Sequence, residues 1–342
     1  MRDEQLITLA HGAGGKASSA LIQSVFVSAF GPHQDKSLQD AAVIDVQQHF
    51  GAGSRIAMTT DSYVVSPLFF PGGDIGTLAV CGTVNDLAVC GARPLCLSAA
   101  FILEEGLPIR ELQRVVASMA DTARRANVSI VTGDTKVVAK GQVDKVFITT
   151  TGLGVVPPGV QVRSDQAEAG DAVLVNGPIG DHGAAIMLAR GDLGLSADVR
   201  SDCAALNPMI GDILSAVPAC RVMRDATRGG VGAVLSEIAQ ASNVAIALDE
   251  NALPVRLETQ GICELLGLDP LFFANEGLVV VLVPQAQAEA VLSVMKNHPE
   301  GQSARQIGQV VEQGQPLLYI NTSFGTKRMI ELPYGIQLPR IC

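Results

Sequence analysis

Three aspartates stand where apolar segments end or are interrupted: Asp61 in Thr-Thr-Asp-Ser-Tyr, Asp134 in Thr-Gly-Asp-Thr-Lys, and Asp86 in Val-Asn-Asp-Leu-Ala. Carboxylates on loops at the ends of apolar strands are natural ligands for magnesium. That ion arrives with substrate phosphates and keeps some of its waters, so a few dispersed carboxylates suffice. Asp40, in Gln-Asp-Ala-Ala-Val, is a fourth candidate. Asp61 and Asp134 read equally well as turn or cap residues. Asp86 leans towards function, because an acid inside an apolar helical stretch is costly to bury without a partner. Lys136 follows Asp134 by two residues, so both point the same way if the strand continues. It suits a phosphate contact or a surface ion pair.

Near the start, His-Gly-Ala-Gly-Gly-Lys at 11–16 precedes a helical pattern. It matches neither phosphate-loop spacing, though its amides and Lys16 suit an anion; a plain entry loop is the simpler reading. In the second half, Arg-Asp-Ala-Thr-Arg-Gly-Gly at 224–230 and Ala-Asn-Glu-Gly at 274–277 are polar interruptions between apolar runs. Arg228 suits phosphate charge, and Glu276 suits a general base if its surroundings raise its pKa. Either also reads as a turn. His182, beside a glycine turn, reads as structural.

Seven cysteines with no Cys-x-x-Cys pair and no clustered histidine fit neither a disulfide framework nor a zinc site. Cys81, Cys90, Cys96, Cys203, Cys220 and Cys263 have apolar neighbours and are expected to be small core residues. Cys342 differs. It ends a stretch, 331–342, that contains Pro333, Gly335 and Pro339 and has no helical or strand period. An extended dozen residues reaches up to ~40 Å, enough to enter an active site on the same or a neighbouring subunit. A carboxylate beside the thiol raises its pKa and Arg340 lowers it; the sequence leaves the balance open.

Positioning these residues takes more than one body. A chain of 342 residues suits two domains at about 100–200 residues each. Strands are expected at 55–60, 95–102, 129–132 and 145–155, and helices at 17–29, 76–90 and 109–126. The last helix carries Leu112, Val115, Val116 and Met119 on one stripe. Pro157-Pro158-Gly159 is the clearest breaker and sets the boundary. Beyond it come strands at 171–175 and 278–283 and helices at 184–190, 208–216, 232–241 and 285–296. The mixture favours α+β over a doubly wound parallel sheet. With 48% hydrophobic and 17% charged residues the chain can bury large cores. A net charge of −10 argues against nucleic acid. No apolar run approaches the ~20 residues of a membrane span. The N-terminus has acids where a signal peptide is basic. A soluble, cytoplasmic protein with no membrane partner is expected.

Taken together the motifs resemble the PurM/AIR-synthetase superfamily of ATP-using enzymes, and within it the carbamoyl dehydratases of hydrogenase maturation. HGAGGK, DAAV, TDSY, FFPGGDIG, NDLAVCGA, ILEEGLP, VTGDTKVV, GDHG, DATRGG and FANEG carry the superfamily resemblance over essentially the whole chain, and the ending PRIC picks out the dehydratases. Gln39 stands where a second aspartate often precedes Asp-Ala-Ala-Val. The resemblance implies that a carbamoyltransferase, HypF, loads a carbamoyl group on Cys342, and that ATP then drives its dehydration to a thiocyanate. The cyanide passes to iron on a HypC–HypD complex for a [NiFe]-hydrogenase. By motif position it implies Asp40, Asp61, Asp86 and Asp134 as Mg²⁺ ligands. Asn85, Thr135, Lys136, Lys16 and Arg228 join them around ATP, and Cys342, Glu276 and Lys136 do the chemistry.

The fold it implies has an N-terminal α/β domain, 1–156, whose strands form a barrel with a second copy in a homodimer. An α+β domain, 157–330, and a flexible tail, 331–342, follow. One rival is a superfamily enzyme acting on a free small molecule, in the manner of selenophosphate synthetase or thiamine-phosphate kinase. Another is a metal carrier using Cys342 as a soft ligand, which leaves the four acids and Lys136 without a role.

Overall fold

The computed structural model describes residues 6–11, 16–30, 50–191, 194, 197–332 and 341–342. Its first helical run is broken into α1 (Lys16–Leu21), a π-helical stretch (Ile22–Val27) and α2 (Ser28–Phe30), where one even helix was expected. The wider π turn narrows the angle between successive side chains. Val25 and Phe26 are therefore both buried, and Phe26 meets Phe101 at 4.9 Å.

The first sheet follows in β1 (Arg55–Tyr63), the small pair β2 (Phe69–Phe70) and β3 (Gly73–Asp74), α3 (Ile75–Val89), β4 (Arg93–Glu104), α4 (Ile109–Arg125), β5 (Ser129–Val138) and β6 (Val146–Val156). Four strands run in the order β1-β6-β4-β5. Only β4–β5 is parallel, because α4 supplies the crossover. The stripe Leu112, Val115, Val116 and Met119 of α4 is fully buried against this sheet. The other sheet face is bare among the described residues, with Ile56 and Met58 66% and 69% exposed.

The second sheet is built from β7 (Asp171–Val175), α5 (Asp181–Arg190), α6 (Asn207–Ala216), β8 (Val222–Asp225), α7 (Gly230–Ser242), β9 (Val244–Asp249), α8 (Leu257–Leu266), β10 (Val279–Pro284), α9 (Ala288–Lys296), β11 (Arg305–Gln313), β12 (Leu317–Asn321) and β13 (Lys327–Met329). Its seven strands run β13-β12-β9-β11-β7-β10-β8. Val173, Val175, Val280 and Leu282 pack towards Val234 and Ile238 of α7, while Leu174, Val281 and Val283 pack with Ile210 of α6 and Met295 of α9. Covering on both faces explains why β7 and β10 are continuous apolar runs.

Strands β8, β9, β11, β12 and β13 and helix α8 were not anticipated. In β11, Arg-Gln-Ile-Gly-Gln-Val-Val-Glu-Gln fully buries only Ile307 and Val310 and is interrupted by register shifts, so its alternation is weak. One cysteine also departs from expectation. Cys90 is exposed because it caps the C-terminus of α3, whereas Cys203, in the loop before α6, is partly buried against the first core. Cys81, Cys96, Cys220 and Cys263 are buried.

Candidate functional site

Side-chain alternation along β1 turns Thr59, Asp61 and Tyr63 inward to α3 and leaves Ile56, Met58, Thr60 and Ser62 on the bare face. Asp86 of α3 meets this inner row. Thr59 donates its hydroxyl to Asp86 at 2.8 Å, and Asp61 shares a hydrogen bond with Asp86. Asp225, at the end of β8, brings a third carboxyl from the second sheet. Burial, then the charges of Asp225 and Asp61, push Asp86 up to about 7. Burial pushes Asp225 to about 6, opposed by its own backbone hydrogen bond and Arg224. Among the described residues no three His, Cys, Asp or Glu side chains form a ready-made metal cage. Paired carboxylates that resist ionising together are nevertheless a donor set for a hard cation that brings its own phosphates and waters.

Asn85, beside Asp86, is buried with its amide occupied. Its Oδ1 accepts from the Leu206 amide at 2.8 Å, and its Nδ2 donates to Ala204 and Glu276 carbonyls at 2.9 and 3.4 Å. It ties α3 to the second half of the chain.

Asp134, Thr135 and Lys136 lie elsewhere. In the β4–β5 register Asp134 stands opposite Ala100 and Lys136 opposite Ile102, on the bare face, while Thr135 pairs with the buried Phe101. Strands β6 and β4 separate β5 from β1, which at ordinary strand spacing is about 14 Å. Within one chain, Asp134 and Lys136 therefore do not join Asp61 and Asp86. Asp40, the loop 12–15 and the side chain of Lys16 lie outside the described residues.

Glu276 sits in the turn before β10 and is 3% exposed. The Asp202 carboxylate clasps that turn, accepting from the Glu276 and Gly277 amides at 3.0 Å each and from the Asn275 side chain at 2.8 Å. A Cβ on Gly277 would run into the Asp202 carbonyl, so only glycine permits this approach. Oε1 of Glu276 has no hydrogen-bond partner among the described residues. Burial, followed by the charges of Asp202, Asp225, Cys81 and Asp61, raises its pKa well above the carboxylate range.

Beside Glu276 stands the end of the tail. Ile341 is 4% exposed and belongs to the first core, so the tip is seated in the protein and is not free as expected; residues 333–340 lie outside the described residues. Val64 donates its amide to the Cys342 main-chain oxygen at 3.2 Å, and Arg228 Nε donates to the Cys342 sulfur at 3.4 Å. His182, fully buried, has Nε2 at 2.6 Å from the Ile341 carbonyl oxygen and Nδ1 at 2.8 Å from the Ser201 hydroxyl. Burial lowers its pKa to about 4, so the ring is neutral. Of the two neighbours named from sequence, Arg340 lies outside the described residues. Burial and Glu276 raise the Cys342 pKa against the opposing pull of Arg228.

Sequence reasoning missed Asp225 and Asp202 as site residues. Asp225 opens Asp-Ala-Thr-Arg-Gly-Gly at a strand end, the same signal that picked out Asp61. Asp202 gave no signal, because it acts from an irregular loop.

The AIR synthase related protein N-terminal domain matches residues 38–156, and the AIR synthase related protein C-terminal domain matches residues 168–321. Carbamoyl dehydratase HypE of Rhodobacter capsulatus is 52% identical, covering 100% of this chain and 99% of its own. Carbamoyl dehydratase HypE of Escherichia coli (strain K12) is 51% identical, covering 98% and 99%. The crystal structure of hydrogenase maturation protein HypE in complex with ATP superposes with a TM-score of 0.92 at 46% identity, over 98% of this chain and 99% of that one. The structure of a HypE–HypF complex superposes at 0.79 and 48% identity, over 92% and 100%. Thiamine-monophosphate kinase from Stenotrophomonas maltophilia K279a shares the fold, with a TM-score of 0.61 at 18% identity.

Proposed function

The chain belongs to the HypE family of AIR synthase related proteins, and from that membership we propose that it uses ATP to dehydrate a carbamoyl group carried on the Cys342 thiol to a thiocyanate. The observation that carries this reading is the meeting of Cys342, Arg228 and the unpartnered Oε1 of Glu276 in one crevice. An amide does not lose its oxygen unaided, since oxide is a poor leaving group. Transfer of the γ-phosphoryl group to the amide oxygen lets that oxygen depart as phosphate. Loss of both nitrogen protons then leaves the carbon–nitrogen triple bond. Thiocarboxamide and ATP become thiocyanate, ADP, phosphate and protons.

Glu276 takes a nitrogen proton in this reading. Burial and then nearby negative charge raise its pKa, so it is a strong base once ionised; of those charges, Asp225 and Asp61 are the ones a bound cation would neutralise. Arg228 holds the sulfur and offsets developing negative charge. Burial of the tip keeps water from the intermediate. Asp61, Asp86 and Asp225 are the side chains that would hold Mg²⁺, which when bound neutralises phosphate charge.

Asp134, Thr135 and Lys136 are assigned here to a homodimer. The bare sheet face with Ile56, Met58 and Ile102, and the edges that β1 and β5 form among the described residues, suit closure of a barrel with a second copy. That closure sets β5 of one copy beside β1 of the other. HypF is the partner that loads Cys342, and a HypC–HypD iron complex is the recipient of the cyanide. Among the described residues no helix is long and apolar enough to cross a membrane, and the assigned place is the cytoplasm. The division into 1–156, 157–330 and a tail from 331 belongs to the same reading; the first sheet ends at Val156 and the second begins at Asp171.

The test is the mass of the C-terminal peptide after incubation with the carbamoyltransferase, carbamoyl phosphate and Mg-ATP. A carbamoyl adduct on Cys342 that loses one water only with ATP present is the expected result. An unmodified Cys342 with ATP still consumed, or turnover that survives deletion of 341–342, would move the substrate to a free small molecule.

A further inference from the structure

Two motifs are left without a role by the chemistry above: Phe-Phe-Pro-Gly-Gly-Asp at 69–74 and Gly-Asp-His-Gly at 180–183. The structure brings them together at the tail. The Ile341 carbonyl has no proton to offer, so His182 Nε2 must carry the hydrogen in their 2.6 Å contact. The ring is neutral, so Nδ1 is left as an acceptor and takes the Ser201 hydroxyl proton at 2.8 Å. The same hydroxyl oxygen accepts the Cys203 amide at 3.1 Å. Ser201 is fixed in turn, donating its amide to the Pro71 carbonyl at 2.8 Å. Gly72, at φ +99°, allows that approach, since a Cβ there would lie 2.7 Å from the Ser201 nitrogen. Phe70 closes the pocket edge-on to the imidazole, with centroids 5.6 Å apart.

We propose that His182, oriented by Ser201 and the 69–74 turn, is a latch that docks the Ile341–Cys342 tip and sets the depth of the thiol beside Glu276. It is a positioning residue: it touches the main chain next to the reacting cysteine and not the sulfur. The hydrogen bond goes to a backbone carbonyl, so it holds whatever group the sulfur carries. The role of the docked thiol rests on the reading of Cys342 above; the docking itself does not.

The experiment is alkylation of the full chain by iodoacetamide, read as the rate at which the Cys342 peptide gains mass. The exposed Cys90 peptide serves as the internal reference and the buried Cys220 peptide reports unfolding. Losing one buried hydrogen bond should shift the tip towards the undocked state and speed Cys342 labelling about tenfold in His182→Ala. Ser201→Ala, which keeps the ring but frees its orientation, should give a smaller rise. His182→Gln, which restores an N–H donor, should recover part of the protection. If His182→Ala also exposes Cys220, the two milder variants carry the test. Unchanged Cys342 labelling in folded His182→Ala, or in folded Ser201→Ala where His182→Ala unfolds, would overturn the latch. Labelling needs neither ATP nor a carbamoyl group, so failure of the dehydratase reading would leave this result standing. In a preloaded enzyme, the latch also requires slower thiocyanate formation with ATP binding unchanged.

Discussion

The crevice around Glu276 and the bare face of the first sheet hold residues picked from equally short polar motifs, yet the fold treats them differently. Glu276, Cys342 and His182 are enclosed, all three have displaced pKa values, and their neighbours come from both halves of one chain. Asp134 and Lys136 face outward from β5, on the same bare face as exposed Ile56, Met58 and Ile102. The walls of the crevice are therefore drawn from a single chain, whereas the bare face becomes a site only with something laid against it.

Glu276→Gln gives the largest expected effect. Thiocyanate formation should fall by about 10²–10⁴, the usual worth of a positioned base. The fold should not suffer, because a carboxyl whose folded pKa is raised loses stability as pH rises through that pKa, and the amide removes this penalty. Measured turnover within a few-fold of the parent would take catalysis away from the crevice.

Lys136→Ala sharpens the comparison more directly. If Lys136 serves the site of a second copy, the variant should be inactive alone. Mixed with Glu276→Gln and allowed to exchange subunits, it should regain activity, because one interface then pairs an intact Glu276 with an intact Lys136. Failure to recover in mixtures shown to exchange would place Lys136 in its own chain's site or outside the chemistry.

The carboxyl cluster predicts a gentler pH effect. Asp86 and Asp225 have pKa values of about 7 and 6 in the folded chain, above their unfolded values, so the metal-free protein should melt at lower temperature as pH rises from 5 to 8. Mg-ATP needs the ionised forms, so its affinity should rise over the same interval, by at most about tenfold per unit for each proton released. Opposite slopes in calorimetry with and without Mg-ATP are the expected result. Parallel slopes would remove these two residues from the metal site.

How far the sequence discloses this depends on what kind of fact is asked. The α4 stripe and the apolar β7 and β10 were legible because burial imposes a period or a run on residue type. Asp86 was legible as a candidate because an acid inside an apolar helical stretch is costly to bury without a partner, whereas Asp61 read equally well as a turn or cap. The face occupied by Asp134 was not, since it turns on strand parity and the register shift between Leu97 and Ser98 in β4. Asp202 and the His182 contact to Ile341 were hidden for a different reason. The latter joins positions 159 residues apart, and no local pattern encodes it.

The smallest expected effect falls on the bare face itself. Met58 is 69% exposed, so Met58→Lys should shift the stability of the lone chain by less than about 0.5 kcal/mol. In a barrel shared by two copies the same lysine would lie in an apolar interface, and burying its charge unpaired opposes association. Sedimentation should therefore show a folded monomer for Met58→Lys and a dimer for the parent, with ATP turnover lost along with the dimer. Met58→Lys that stays dimeric and active would mean that the exposed face is not the contact between copies. Asp134 and Lys136 would then have lost the one surface that could bring them to a nucleotide.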